Sequence, residues 1–514
     1  MLLIVRLHLL LSSSSIRAFR PVARPITKFI RLFATETSPS SLPPLSPASL
    51  SPPPKFNPFP FPYHHELTVE IESLSNLGFG VARVKLPETS DSSSSTSDSK
   101  RWVIFVPSTI PGEIVTVRIY KSTSSYSDAD LISVNTPSPH RVEPRCKLYD
   151  NCGGCQYQHV DIATQRDWKK QQVVDVFARH NYFDSTSTSS TSILAATAQQ
   201  LPILDTVGSD QIYNYRSKIT PHYDAPRGDP TKPEFVFPPI GFHRKASRNI
   251  VDVDRCEIAT DAINHKLTSL RGEIKENWPT KFAILSKKNE LKKRKNKKRG
   301  LAASLLLRDA LQGVVTDPRA VVSEQVGEIL FSFKAGNFWQ NNPYILSTLV
   351  DHVLTQAKDS SCSNNSFLVD TYCGSGLFSL SGSKLFEQVA GIEVSSLAVD
   401  AATSNAADNK ISNCSFIANK AEKIFDEGSL VNSFPRESTA VVVDPPRAGC
   451  SPEFITQLIQ FGAKRVVYVS CNPATQARDL KLLKESYTLK SLVPFDLFPQ
   501  TRHIETVATL DKIG

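Results

Sequence analysis

Nowhere in the 514 residues is there a run of eighteen uncharged apolar residues, so no helix is expected to cross a membrane. Cysteine is also sparse: nine in a chain this long do not make a disulfide scaffold. Acidic residues are missing from the start, where six basic ones (Arg6, Arg17, Arg20, Arg24, Lys28, Arg31) precede Glu36. The net charge of +9 and pI near 9.0 suggest a polyanionic partner, most simply nucleic acid. Much of that excess is local, since nine Lys or Arg fall between Lys287 and Arg299. Charge alone is therefore weak support.

What is present divides the chain. Residues 1–35, rich in Arg, Ser and Leu, have the composition of an organelle targeting peptide, for mitochondrion or plastid. Arg6 interrupts the apolar start MLLIVRLHLLL, which would otherwise resemble a signal-peptide core. Residues 36–62 are a Ser/Pro-rich, disordered linker. From 63 to 135 period-two patterns broken by Gly and Pro predict an all-β unit, with the serine run Ser90–Ser99 as a loop expansion. Residues 136–330 form a central domain with a second Ser/Thr insertion at 184–200 and a basic loop at 287–299. ATQRDWKKQQVVDVFAR (Ala163–Arg179) carries helical periodicity through Val173, Val176 and Phe177. Tyr213–Tyr223 and Gly241–Val253 interleave basic and aromatic residues, as a single-stranded RNA platform does; solvated strand faces would look alike.

Cys146, Cys152 and Cys155 are spaced C-x5-C-x2-C, with two glycines between the last two, and Cys256 follows in VDVDRCEI. Four thiolates suit zinc or an iron–sulfur cluster; the spacing favours the cluster, and ligand type alone does not decide.

From 331 to 514 strands and helices alternate as in a doubly wound, Rossmann-like α/β domain. The loop D-x-x-C-G-S-G lacks the third glycine of a dinucleotide site, and no phosphate-binding Lys-Ser/Thr motif occurs. Glu393, nineteen residues beyond Gly374, is spaced to bond ribose hydroxyls. With no pyrophosphate cradle, the fitting nucleoside cofactor is S-adenosylmethionine. VVVDPPRAGC and RVVYVSCNPATQARDL each open on a buried-strand run and break at a turn, which should bring Asp444 and Cys471 into one crevice.

FWQNN, DTYCGSG, DPPRAGC, SCNPATQARDL and DLFPQTRHIET together resemble the uracil-C5 RNA methyltransferases of the TrmA/RlmD type, over the chain from about His65 onward. The order strand, GxG, strand, VP…PGE, strand is similar to a TRAM domain, an OB-like RNA-binding β-barrel. The resemblance implies a monomeric enzyme in which Cys471 adds to uracil C6, C5 takes a methyl group, and Glu505 removes the C5 proton. It implies cofactor contacts at Gln340, Tyr372, Glu393 and Asp444, and a [4Fe-4S] cluster on Cys146, Cys152, Cys155 and Cys256. Leu377 stands where relatives often have Asn, so no polar contact is expected there. Cys373 and Cys450 are expected to pack. The branch resembled implies ribosomal RNA as substrate and 5-methyluridine as product; transfer RNA, or a noncatalytic assembly factor on the same fold, are the alternatives. A radical methylthiotransferase would need C-x3-C-x2-C, which is absent, and a base-amino methyltransferase would need no SCNP.

Overall fold

The computed structural model describes residues 59–86, 101–180, 202–224, 232–290, 303–358, 366–425 and 429–514. The expected targeting segment, nearly all of the 36–62 linker and the runs at 90–99 and 184–200 lie outside the described residues.

Six strands come first: β1 (Glu66–Glu70), β2 (Ser73–Leu74), β3 (Phe79–Lys85), β4 (Arg101–Pro107), β5 (Ile114–Ser122) and β6 (Tyr126–Thr136). They make one sheet in the order β1-β5-β6-β4-β3-β2, antiparallel except for β4 with β6. Alternate residues point inward, Trp102, Ile104 and Val106 on β4 and Val115, Val117 and Ile119 on β5, and join Ile71 and Ala129 in one core. Gly80 of the GFG turn is required, because a Cβ there would lie 2.1 Å from Thr109 Oγ1.

The middle of the chain supplies α1 (Ile162–Arg179), β7 (Val207–Gly208), β8 (Lys218–Ile219), β9 (His222–Tyr223), β10 (Ile240–His243), β11 (Ile250–Asp252) and α2 (Asp261–Glu290). It continues with β12 (Ala303–Ser304), β13 (Leu307–Ala310), β14 (Gly313–Val315), β15 (Val321–Val326) and β16 (Ile329–Lys334). These strands pair in small sheets, β11-β10-β9-β12, β14-β13-β8 and β15-β16. The backbone of α2 runs to Glu290, so the basic stretch begins as helix rather than as loop; 291–299 lie outside the described residues. Of the basic and aromatic residues expected as an RNA platform, His243, Arg244 and Arg248 are exposed and others have partners within the protein. Tyr215 is buried, Arg145 lies 5.0 Å from the centre of the Tyr213 ring, and Lys245 lies 4.1 Å from that of Tyr149.

The last part is α3 (Pro343–Lys358), β17 (Phe367–Asp370), α4 (Leu377–Ser381), β18 (Gln388–Glu393), α5 (Ser396–Asp408) and β19 (Cys414–Ala418). It closes with β20 (Thr439–Val443), α6 (Pro452–Phe461), β21 (Arg465–Ser470), α7 (Pro473–Leu483), β22 (Tyr487–Asp496) and β23 (Glu505–Lys512). The sheet order is β19-β18-β17-β20-β21-β23-β22-β7, parallel from β19 to β21, with β23 antiparallel to both neighbours. Every residue of β20 and β21 is buried, as expected for strands covered on both faces. Val441 and Val443 face one core with Val173, Val176 and Phe177 of α1, and Ala440 and Val442 face the other with α3. The winding direction reverses between β17 and β20, the position at which open α/β sheets hold ligands.

α1 thus packs on the eight-stranded sheet, and β7 extends its edge. A fully buried ion pair fastens it: Lys169 Nζ donates to Asp496 Oδ1 at the end of β22. Lys169→Met would leave Asp496 buried without its partner and should cost about 3–5 kcal/mol in denaturant unfolding. Adding Asp496→Leu should recover most of that loss.

Candidate active site

Cys471 and Asp444 are the first residues beyond adjacent parallel strands, β21 and β20. The turn after β21 is built by its own sequence. The Ser470 hydroxyl accepts the Asn472 N–H (3.1 Å), Asn472 Oδ1 accepts the Ala474 N–H (3.2 Å), and Pro473 begins α7. Asn472 Nδ2 and Thr475 Oγ1 then donate to Arg447 O (3.0 and 3.3 Å), tying the DPPR loop to the cysteine turn.

Asp479, on α7, holds the rest of that loop. Its Oδ2 accepts the Cys450 N–H (2.8 Å) and the Tyr468 hydroxyl (2.7 Å), and its Oδ1 accepts Arg478 Nε (2.8 Å). Gly449, at φ +77°, must be glycine, since a Cβ would stand 2.6 Å from Asp479 Oδ2. Gln476 clamps the neighbouring strands: its Nε2 donates to Tyr468 O (2.8 Å), and its Oε1 accepts the Thr506 hydroxyl (2.8 Å). Thr506 pairs with Ser470, so Glu505, the first residue of β23, stands opposite Cys471. Gln476 and Asp479 lie within the ATQARDL stretch but carried no sequence signal of their own role.

Cys471 is exposed, while Glu505 is 5 % exposed and Asp444 partly buried. Neither carboxyl makes a hydrogen bond among the described residues. Burial, then the Asp370 carboxylate, pushes Asp444 up to about 7. Burial, then Asp444, pushes Glu505 well above the usual carboxylate range, with Arg447 opposing. The two titrate as a pair that can hold a proton near neutrality. Desolvation, then Glu505 and Asp444, pushes the Cys471 thiol up to about 11, again against Arg447.

Beside this centre β17 and β18 end at the glycine loop and at Glu393, the residues expected at the cofactor. Gly374 and Gly376 both have positive φ (54° and 91°), and a Cβ at Gly374 would meet nothing within 4 Å. Asp370, at the end of β17, is fully buried; its Oδ2 accepts the Ser379 N–H and hydroxyl (3.1 and 2.6 Å), and its Oδ1 has no partner. Glu393 ends β18 and accepts the Ser395 N–H at 2.9 Å through Oε1, leaving its other oxygen for a ligand. Gln340 follows Trp339, whose Nε1 donates to Glu324 Oε2 (2.8 Å) and whose ring stacks on Phe333 at 4.5 Å. The adjoining Asn341 has a buried Oδ1 without a partner. Tyr372, partly exposed, meets Phe454 edge-on with its ring at 5.8 Å. Cys373 and Cys450 are buried, as packing residues should be.

Away from this centre, Cys146, Cys152, Cys155 and Cys256 line one cavity of about 350 Å³ together with Arg216, Thr501 and His503. All four are free thiols whose burial raises them above the ordinary range, Cys256 to about 11. Among the described residues no three His, Cys, Asp or Glu side chains gather closely enough for a single metal ion.

A doubly wound sheet with an antiparallel last strand, preceded by a six-stranded β-unit, defines a methyltransferase-type enzyme joined to a TRAM-like module. Residues 269–513 match the tRNA (Uracil-5-)-methyltransferase family, and residues 65–132 match the TRAM domain. The chain is 36 % identical to the tRNA (uracil(54)-C(5))-methyltransferase of Schizosaccharomyces pombe, over 88 % of this chain and 80 % of that protein. It is 31 % identical to the enzyme of the same name from Saccharomyces cerevisiae, over 88 % and 74 %. The crystal structure of the Pyrococcus abyssi tRNA (uracil-54, C5)-methyltransferase, 22 % identical, shares the fold at a TM-score of 0.59, over 86 % of this chain and all of that one. The protein belongs to the uracil-C5 RNA methyltransferase family.

The electrostatics give a direct test. Glu505→Gln should lower the Cys471 pKa and Arg447→Met should raise it. One unit of lowering leaves roughly tenfold more thiolate, partly offset by weaker nucleophilicity, so alkylation should quicken about threefold. Peptide-resolved iodoacetamide labelling across pH measures both variants; equal rates in wild type and Glu505→Gln would refute the arrangement.

Proposed function

We propose that this enzyme methylates C5 of a uridine in transfer RNA, at the position its yeast relatives' names give, through a covalent adduct between Cys471 and uracil C6. The observation that carries the reading is an exposed cysteine facing two carboxyls that have no other partner. The two yeast relatives, both named for uracil 54 of transfer RNA, support that substrate in place of the ribosomal RNA first expected. Bound S-adenosylmethionine would supply a methyl group on a sulfonium. Glu393 has an oxygen left for ribose hydroxyls, and Asp370, at the end of the neighbouring strand β17, carries an unpartnered buried oxygen. Gln340, Tyr372 and Asp444 are the further contacts this reading assigns.

Uracil C5 is a poor nucleophile. Addition of the Cys471 thiolate to C6 moves electron density onto C5 and O4, and the enolate carbon takes the methyl group. The thiol proton passes to Asp444, whose pKa, pushed up to about 7, suits it as acceptor. C5 then carries both methyl and hydrogen. Glu505 removes that proton, the C5–C6 double bond re-forms, and Cys471 leaves as thiolate, with one proton released per turnover. The target base must be unstacked to reach Cys471.

The cavity lined by Cys146, Cys152, Cys155 and Cys256 fits a [4Fe-4S] cluster better than zinc. A tetrathiolate zinc site draws its sulfurs to about 2.3 Å from one ion. Here four thiols share a cavity of about 350 Å³ without any such convergence. Purified protein should contain about four iron and four sulfide per chain, and Cys155→Ala should lose them; stoichiometric zinc would refute the assignment.

Transfer RNA carrying 5-fluorouridine should trap wild type as a denaturation-resistant adduct, because fluorine at C5 cannot leave as a proton. Cys471→Ala should give none, and Glu505→Gln should accumulate adduct on ordinary uridine while turnover falls about 10²–10⁴-fold. Trapping on ribosomal but not transfer RNA would reverse the substrate assignment. No adduct with either would end the covalent mechanism.

A further inference from the structure

Gln500 lies in the DLFPQTRHIET segment, five residues before Glu505, and touches none of the reacting groups. It is 2 % exposed and has φ +69°, a left-handed backbone uncommon for a residue with a side chain. Such a conformation persists only where surrounding contacts over-determine it, and here they do. Gln500 O accepts two successive backbone N–H groups, from Gln156 and Tyr157, each at 3.0 Å. Its N–H donates to Gln165 Oε1, and its Oε1 accepts Gln165 Nε2, both at 3.0 Å. Gln165, fully buried on α1, also donates to Tyr157 O and Val160 O (3.0 and 2.8 Å). On either side of Gln500, the Tyr215 hydroxyl donates to Pro499 O (3.0 Å), and the Arg502 N–H donates to Gln156 Oε1 (3.3 Å).

The donors to Gln500 O follow Cys155 directly in sequence, and Thr501 and His503 line the cavity of the four cysteines. The loop that delivers Glu505 is therefore fastened to the cysteine loop and to α1.

We propose that Gln500 is a positioning residue that sets the loop carrying Glu505 in register with the cysteine loop, so that proton removal from C5 depends on that contact. The proposal rests on Cys471 as nucleophile and Glu505 as base. Attack at C6 needs Cys471, whose turn is built by Ser470, Asn472 and Pro473 and does not use Gln500. Proton removal needs Glu505. Loosening Gln500 should therefore slow the second step and spare the first.

The test uses the full-length holoenzyme and two variants. Gln500→Gly keeps the left-handed backbone and removes the side-chain pairing; Gln165→Met removes the same pairing from the helix side. Each is assayed with S-adenosylmethionine on unmodified and on 5-fluorouridine transfer RNA, beside its thermal unfolding midpoint. The expected result is denaturation-resistant adduct accumulating on ordinary uridine and turnover falling about tenfold or more. The rate of 5-fluorouridine trapping should match wild type. Turnover and trapping falling together, or falling only in step with the unfolding midpoint, would overturn the proposal in favour of a purely structural role. If wild type itself forms no 5-fluorouridine adduct, the catalytic reading fails, and the proposal with it.

Discussion

The antiparallel entry of β23 between β21 and β22 is the constraint on which the site depends. In that register Thr506 pairs with Ser470, which sets Glu505 opposite the residue after β21, Cys471. A slip of one residue would turn Glu505 to the other face of the sheet. The Gln476 amide, bonded to Tyr468 O and to the Thr506 hydroxyl, makes such a slip expensive, because it would leave buried polar groups without partners. One residue from α7 thus aligns Cys471 with Glu505, which are distant in sequence.

The same closeness sets the electrostatics. Beyond burial, Asp370 raises Asp444, Asp444 raises Glu505, and the last two raise Cys471. A resting thiol is protected from stray alkylation and oxidation, since the thiolate is the reactive form. Asp444, pushed up to about 7, can accept a proton without a large driving-force penalty. Arg447 pulls both Cys471 and Glu505 the other way, and its loop is held by Asn472 and Thr475 of the same turn that presents the cysteine. The proton balance of the site is therefore built into the contact between two loops.

The middle of the chain is not an independent appendage. α1 contributes Val173, Val176 and Phe177 to the sheet's core, Lys169 pairs with Asp496, and Gln165 pairs with Gln500. Of the aromatic and basic residues in the segments that read as an RNA platform, Tyr215 is buried and Arg216 lines the four-cysteine cavity, while His243, Arg244 and Arg248 are exposed. Composition could not separate the two sets: a guanidinium over a ring looks the same whether the ring waits for a base or fills a core.

Sequence by itself determined the elements and the chemistry-bearing residues. VVVDPPR and RVVYVSCNP carry strand and turn signals within a few residues, so buried strands ending at Asp444 and Cys471 were legible, as were helix α1 and the Gly loop. Cys146, Cys152 and Cys155 were legible as a cluster for the same local reason, and the fold brings Cys256 to the same cavity. Tertiary structure decided what those residues meet. Glu505 became a neighbour of Cys471 only through an antiparallel pairing that no local pattern encodes. Tyr372, expected at the cofactor, stays partly exposed while its ring meets Phe454 edge-on, a contact no local pattern announced. Gln476, Asp479 and Gln500 look like ordinary polar residues in a string; each acts through a buried partner far along the chain, and hydrogen bonds across such separations exist only once the fold has closed.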